Sequence, residues 1–319
     1  MAESSVNTNK GKVAIIGSGV IGKSWGLMFL RAGYEVVLFD TQMSQLKTAQ
    51  GYISSELEKM QKEGGCDASE LIKKLTLTEN LKEAMDGTIY VQECVPEIVE
   101  LKKEVFSSLD EFASDKVIMA SSTSCIPVSS FTSDLKHKSQ CIVSHPANPP
   151  LYVPVIEIIP SVHTSQEVVE RTVDLMKELG KVPVVGKKEL NGFVINRLQY
   201  AIIMEAWRLV EDCVCSPEDV DAAFTEGLGL RYAFVGPLET MHLNADGIKD
   251  YCEKFGANIK RVVTDEHTTA RDLSGDTLAK LSEHYNKQTP LDKLEEKCQW
   301  RAQYHKELLK FKEEMKKKS

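Results

Sequence analysis

His145 and Glu157, twelve residues apart, are the pair in this chain best suited to moving a proton. An unperturbed imidazole titrates near pH ~6.5, so it can take a proton from an alcohol while hydride leaves the same carbon, and return it in the reverse direction. A carboxylate on the other ring nitrogen fixes the tautomer and stabilises the imidazolium that forms. Pro146, Pro149 and Pro150 follow the histidine, fix the backbone and end regular structure, as a positioned group requires. A second constellation suits a different ligand. Gly17, Gly19 and Gly22 form Gly-x-Gly-x-x-Gly, with Val20 and Ile21 between the last two glycines. A diphosphate needs bare backbone N–H groups and the positive end of a helix. Gly17 permits the turn out of a strand, Gly19 lets the main chain approach the diphosphate, and Gly22 lets the helix pack on the sheet. Asp40, about 20 residues on, stands where an acceptor for a ribose 2′-hydroxyl belongs. Thr41 and Gln42 follow it, with no arginine to receive a 2′-phosphate, so the cofactor is expected to be NAD rather than NADP.

Particular elements must hold these groups. Residues 13–16 read as a buried strand and 20–30 as a helix carrying Trp25, Leu27, Met28 and Phe29, with Ala32 and Gly33 as the stop before a second strand at 36–39. Further strand-like runs lie at 88–94, 117–121, 141–145, 155–159 and 182–185, with helical patterns such as 45–62 and 97–112 between most of them. That alternation predicts an α/β domain of Rossmann type, with a largely parallel sheet covered on both faces. Ligands of open α/β sheets bind beyond the carboxyl ends of the strands, which singles out 93–102, 121–124, 145–148 and Glu157. Near Asn191 and Gly192 the pattern changes. Residues 193–210 follow helical spacing and no strand is evident afterwards, so an α/β cofactor domain over 1–190 and an all-helical domain over 191–319 are expected, without a long linker or internal repeat.

A length of 319 residues suffices for two domains that each bury a core without disulfides or metals. The net charge of −8 argues against a nucleic-acid partner, and the lysines at 316–318 read as a solvated helix end. Eight cysteines show no C-x-x-C pair and no zinc-like spacing, so no metal is expected; Cys94 and Cys141 read as small apolar residues in or beside strands. The start, Met-Ala-Glu-Ser-Ser-Val-Asn, lacks the basic and apolar regions of a signal peptide, and no apolar run approaches a membrane span. A cytoplasmic protein without a membrane partner is the expectation.

Taken singly, the candidates have ordinary structural accounts: a hydrogen-bonded core histidine, a charged turn glutamate, a capping serine at Ser124, an exposed asparagine on the first turn of a helix at Asn196. Their combination is more specific. Ser124, His145, Asn148, Glu157 and Asn196 fall in the order and spacing of the 3-hydroxyacyl-CoA dehydrogenase superfamily. The segments His145-x-x-Asn148-Pro and Gly192-Phe-Val-Ile-Asn196-Arg-Leu are similar to its hallmarks. The resemblance covers essentially the whole chain. It implies that His145 is the base, Glu157 its partner, Ser124 and Asn196 the contacts to the substrate oxygen, and Glu97, Lys102 and Asn148 part of the nicotinamide-ribose environment. Glu97 also suits the start of a helix, beside Pro96.

In the second domain, residues 202–211 and 227–244 resemble the branch that oxidises the 3-hydroxyl of L-gulonate. The acyl-CoA branch has Met-Gly-Pro-type sequence where this chain has Val235, Gly236 and Pro237, and tends to carry aromatics where Pro146 and Ala147 stand. The resemblance therefore implies an NAD-dependent dehydrogenase acting on a small polar hydroxy acid, with L-gulonate as substrate. Arg231 is a candidate to grip the substrate carboxylate in a bidentate way, or an ordinary surface or interface arginine. The resemblance also suggests a homodimer, with apolar segments such as 232–235 either at its surface or in a core. A short-chain 3-hydroxyacyl-CoA dehydrogenase and a non-catalytic, NAD-binding structural protein of lens type are the alternatives. Lys187 and Asn191 have the spacing of the lysine-based β-hydroxyacid dehydrogenases but lack their glycine-rich context.

Overall fold

Every residue of β1 (Lys12–Ile16) after the first is buried, because this strand lies inside a sheet with both faces covered. Successive side chains point to opposite faces, so Val13 and Ile15 enter one core while Ala14 and Ile16 enter the other. In the computed structural model residues 10–264 and 269–318 are described. The leader reading of the first seven residues lies outside them. The other strands are β2 (Glu35–Phe39), β3 (Leu75–Thr78), β4 (Thr88–Glu93), β5 (Ile118–Ser121), β6 (Cys141–Pro146), β7 (Val155–Pro160) and β8 (Val182–Val185). They form one sheet in the order β3-β2-β1-β4-β5-β6-β7-β8.

The first helices are α1 (Val20–Arg31), α2 (Met43–Lys62), α3 (Ala68–Ile72), α4 (Leu81–Met85), α5 (Val99–Phe112), α6 (Ser129–Thr132) and α7 (Gln166–Glu178). On one face, α1 packs Trp25, Leu27, Phe29 and Leu30, with Leu46, Ile53 and Leu57 of α2 in the same cluster. On the other, α5 contributes Phe106 and Leu109. The spacing of these residues along each helix is what sequence periodicity registers as one apolar face.

Two features differ from the sequence reading. β3 is a four-residue strand with an exposed second position, too short and too mixed to register as a periodic run. α5 begins at Val99, so Pro96 and Glu97 lie in the loop before it. A third feature organises the site: all neighbouring strands are parallel except β6 and β7, which are antiparallel. The return through residues 147–154 brings the first half of β7 beside the carboxyl end of β6.

The chain divides into two compact units, the first ending at Arg197 and the second starting at Leu198. Helix α8 (Ile195–Glu211) begins in the first. Beyond it lie α9 (Pro217–Ala222), a π-helical turn (Ala223–Leu228), α10 (Gly229–Tyr232), α11 (Pro237–Leu243), α12 (Ile248–Val263), α13 (Gly275–Gln288) and α14 (Leu294–Lys316). Among its described residues the second unit is helical and contains no strand. Only Thr240 and Thr277 are buried there, while Leu230, Phe234, Leu238, Val262 and Trp300 stand exposed. Among the described residues no helix is long and apolar enough to cross a membrane, and the eight cysteines form no disulfide.

Candidate active site

Because β6 and β7 run antiparallel, His145 and Glu157 sit directly opposite one another in the ladder. His145 Nδ1 lies 2.7 Å from Glu157 Oε2. Glu157 is fully buried and His145 is 8% exposed. The other carboxylate oxygen, Oε1, accepts from the backbone N–H groups of Val194 (2.7 Å) and Ile195 (2.9 Å), where α8 begins. Burial alone would raise the Glu157 carboxyl, but the imidazole and these two N–H groups more than offset it and hold the group below the usual carboxylate range. An ionised glutamate at Nδ1 leaves Nε2 as the ring nitrogen for an external proton.

The loop after β5 is held from a distance. Glu97 Oε1 accepts from Thr123 Oγ1 (2.6 Å), Ser124 N (2.9 Å), Ser124 Oγ (3.3 Å) and Cys125 N (3.2 Å). Its carboxyl is raised by burial but lowered more by Thr123, Lys102 and the loop N–H groups, so it too titrates below its usual range. Lys102, almost fully buried, sets its ammonium 3.4 Å from Glu97 Oε2 and donates to both oxygens of Glu93, at 2.9 and 3.1 Å. Glu93 in turn accepts from Ser121 Oγ at 2.5 Å. Asn196 Nδ2 donates to the Ser124 carbonyl at 2.9 Å, so the asparagine on α8 and the serine loop are joined. Ser124, His145, Glu157 and Asn196 thus belong to one connected set of elements at the end of the sheet.

The glycine turn answers its chemistry. A Cβ on Gly22 would stand 1.8 Å from the Gly17 carbonyl oxygen, and one on Gly17, whose φ is +98°, would meet Cys94 O at 2.9 Å. Among the described residues beyond its chain neighbours nothing lies within 4 Å of such a carbon at Gly19, which leaves open space over bare backbone. α1 starts at Val20 with no side-chain cap on its free N–H groups. Asp40 follows β2; its Oδ2 accepts from Ser18 N (2.9 Å) and Ser18 Oγ (2.6 Å), and among the described residues its Oδ1 accepts only from Gln42 N at 3.3 Å. An open cradle, uncapped N–H groups and an acceptor with a spare oxygen fit a dinucleotide.

Other expected residues are placed differently. Asn148 is exposed, just after β6. Arg231 is exposed on α10, in the second unit. Asn196 is 8% exposed rather than the solvated helix residue its position alone would allow. Sequence reasoning singled out the stretch 93–102 but gave Glu93 no role of its own, since its place on a strand gives no sign of a charge partner nine residues later. It missed Ser18, although the residue lies inside the glycine motif.

The sequence profile of the 3-hydroxyacyl-CoA dehydrogenase NAD-binding domain matches residues 12–189, and that of the C-terminal domain of the same enzymes matches 192–284. Among curated proteins, lambda-crystallin of Oryctolagus cuniculus is 42% identical over 311 residues, 96% of this chain and 97% of that one. The lambda-crystallin homolog of Homo sapiens is 47% identical over 257 residues, 79% of this chain and 81% of its own. Among solved structures, the NAD-dependent dismutase 5-formyl-3-hydroxy-2-methylpyridine 4-carboxylic acid 5-dehydrogenase is similar, with a TM-score of 0.69, 27% identity and 86% of each chain covered.

Proposed function

The chain belongs to the 3-hydroxyacyl-CoA dehydrogenase family, and from that premise we propose that it oxidises the 3-hydroxyl of a small polar hydroxy acid, L-gulonate, to 3-dehydro-L-gulonate. NAD-dependent dehydrogenation is the chemistry of the family; the substrate and the residue roles are this proposal's own. The observation that carries it is the His145–Glu157 pair, ionised at the carboxylate and joined through α8 to Asn196 and the Ser124 loop.

Bound NAD supplies the hydride acceptor, held by Gly17, Gly19, Val20, Ile21, Gly22 and Asp40, with Glu97, Lys102 and Asn148 on the nicotinamide-ribose side. In this reading His145 Nε2 takes the hydroxyl proton, and Glu157 keeps Nδ1 protonated and balances the imidazolium. Ser124 Oγ and the Asn196 amide hold the reacting oxygen. Lys102 acts through Glu97, since its ammonium is enclosed by the two glutamates. Residues 191–319 form the substrate-binding and dimer-forming part, with Arg231 gripping the substrate carboxylate.

L-Gulonate is favoured over an acyl-CoA by the second-domain segments 202–211 and 227–244 and by the small residues Pro146 and Ala147 after the base. The extensive match to lambda-crystallins accords with those segments. The test is NADH formation from L-gulonate against 3-hydroxybutyryl-CoA. Turnover of L-gulonate with a higher kcat/KM supports the proposal. Efficient use of the acyl-CoA with none of L-gulonate overturns the substrate, and NAD binding without turnover of any hydroxy acid would leave a structural protein of lens type. Arg231→Met is expected to raise KM for L-gulonate strongly with NAD affinity unchanged, and Arg231→Lys to rescue only in part; unchanged KM removes Arg231 from the site.

A further inference from the structure

Phe193 stands between His145, the N–H groups that bind Glu157 and the turn pinned to the Ser124 loop. Its φ is +46°, a left-handed backbone that is uncommon outside glycine and strained for a bulky side chain. The preceding Gly192, at φ +76°, adopts such a conformation without side-chain penalty. Phe193 has no such freedom, so the surroundings must enforce the conformation. Its side chain is 3% exposed and belongs to the core beside Val143 and Ile159 of β6 and β7. Its ring centroid lies 6.1 Å from that of His145, tilted by 55°.

The backbone on either side is engaged in turn. Gly192 N donates to Cys125 O at 3.2 Å, pinning the turn to the Ser124 loop, and Phe193 N donates to Leu190 O at 3.0 Å. The next two N–H groups, of Val194 and Ile195, converge on Glu157 Oε1. Convergence of two successive N–H groups on one oxygen depends on the direction in which the chain leaves residue 193. A ring buried against the base and a backbone aimed at the partner of that base therefore belong to a single residue.

We propose that Phe193 is a positioning residue: its buried ring and left-handed backbone together set His145 against Glu157 and register that pair with the Ser124 loop. It touches no reacting atom. This inference rests on the His145–Glu157 reading above, and it concerns alignment rather than affinity for cofactor. The glycine turn and Asp40 lie on other segments, so the Kd for NAD is expected to change little.

The test compares Phe193→Leu, which keeps a smaller apolar side chain but removes the ring, with Phe193→Tyr, which keeps the ring. Phe193→Leu is expected to lower kcat by about 10- to 100-fold, the scale on which small misplacements act, with the Kd for NAD within about twofold of wild type. Phe193→Tyr is expected to restore most of kcat. A readout independent of any substrate is the imidazole titration of His145 by NMR, assigned with His145→Gln. In Phe193→Leu it should move toward the curve of Glu157→Gln, and in Phe193→Tyr it should follow wild type. If the wild-type chain turns over no substrate offered, the functional reading fails while this titration still decides the inference. A folded Phe193→Leu with the wild-type His145 titration overturns it, as does a Phe193→Leu that keeps wild-type kcat.

Discussion

Asp40 is tethered to the turn it serves, since both the N–H and the hydroxyl of Ser18 bind its Oδ2 and leave Oδ1 with one long hydrogen bond. Asp40→Ala removes the ribose acceptor and the charge that repels a 2′-phosphate, so NAD binding is expected to weaken about 10- to 100-fold, the scale of a hydrogen bond to a charged group, with the preference over NADP narrowed. Ser18→Ala removes the hydroxyl tether while the backbone N–H still holds the carboxylate, and should fall between wild type and Asp40→Ala. Fluorescence titration with both dinucleotides checks this; equal binding of NAD and NADP by the unaltered chain would contradict it. Glu157 yields a pH-dependent expectation. Its folded carboxyl titrates below the unfolded value, so its contribution to stability is present at neutral pH, above the unfolded value, and is lost as pH falls through the folded value. Glu157→Gln should therefore be less stable than wild type at pH ~7, with the gap in Tm closing as acid is added; a gap that stays constant to pH ~3 would sink the assignment. Residue types were legible at this scale because glycine, histidine and a carboxylate announce their chemistry by spacing. The tethers were not: Ser18 and Phe193 matter through the direction of a hydroxyl and of a backbone, and neither direction is written in composition or period.

At the scale of elements, most strands and helices of the first unit follow from apolar runs and their punctuation, as with β1, whose four buried residues form an unbroken apolar run that ends at a glycine. The antiparallel turn between β6 and β7 was not legible, because a strand's direction depends on the path of the connecting segment and leaves no mark on its own periodicity. Its consequence is large, for it makes His145 and Glu157 cross-strand partners. The start of α5 was misplaced for a related reason: Pro96 and Glu97 are good helix openers, yet Glu97 is drawn into the loop to hold the N–H groups of Ser124 and Cys125. The closest approach of elements gives a sharp expectation. A methyl at Gly22 cannot coexist with the Gly17 carbonyl oxygen at 1.8 Å, so Gly22→Ala must push α1 away from β1. Thermal unfolding should show a loss of about 1–3 kcal/mol, as for overpacking elsewhere, together with loss of NAD binding. An alanine variant that binds NAD normally would show that the helix has more room than the geometry allows.

On the scale of the whole molecule, the second unit presents large apolar residues to solvent, among them Leu230, Phe234, Leu238, Val262, Trp300 and Tyr304, and buries almost none of its described ones. Exposure of that extent on helices is the kind of patch that interaction surfaces present. A second copy of the chain is the occupant this account expects, in keeping with the 232–235 segment read from sequence. Sedimentation should return twice the mass of one chain, and Leu230→Glu with Phe234→Glu should shift it toward the monomer; a monomer at micromolar concentration in the unaltered protein would contradict a homodimer. The helical nature of this unit was plain from residue spacing, but whether its apolar faces meet one another or a partner could not be read, since both give the same period. The central claim joins all three scales: His145, aligned by Glu157 through β6, β7 and α8, is the base that removes the proton from a hydroxy acid. The most direct measurement is kcat for NADH formation from L-gulonate by wild type and by His145→Gln, with the Kd for NAD measured on both. The account expects kcat to fall by about 10²- to 10⁴-fold, the usual worth of a general base, with the Kd unchanged, and near-normal turnover by His145→Gln would contradict it.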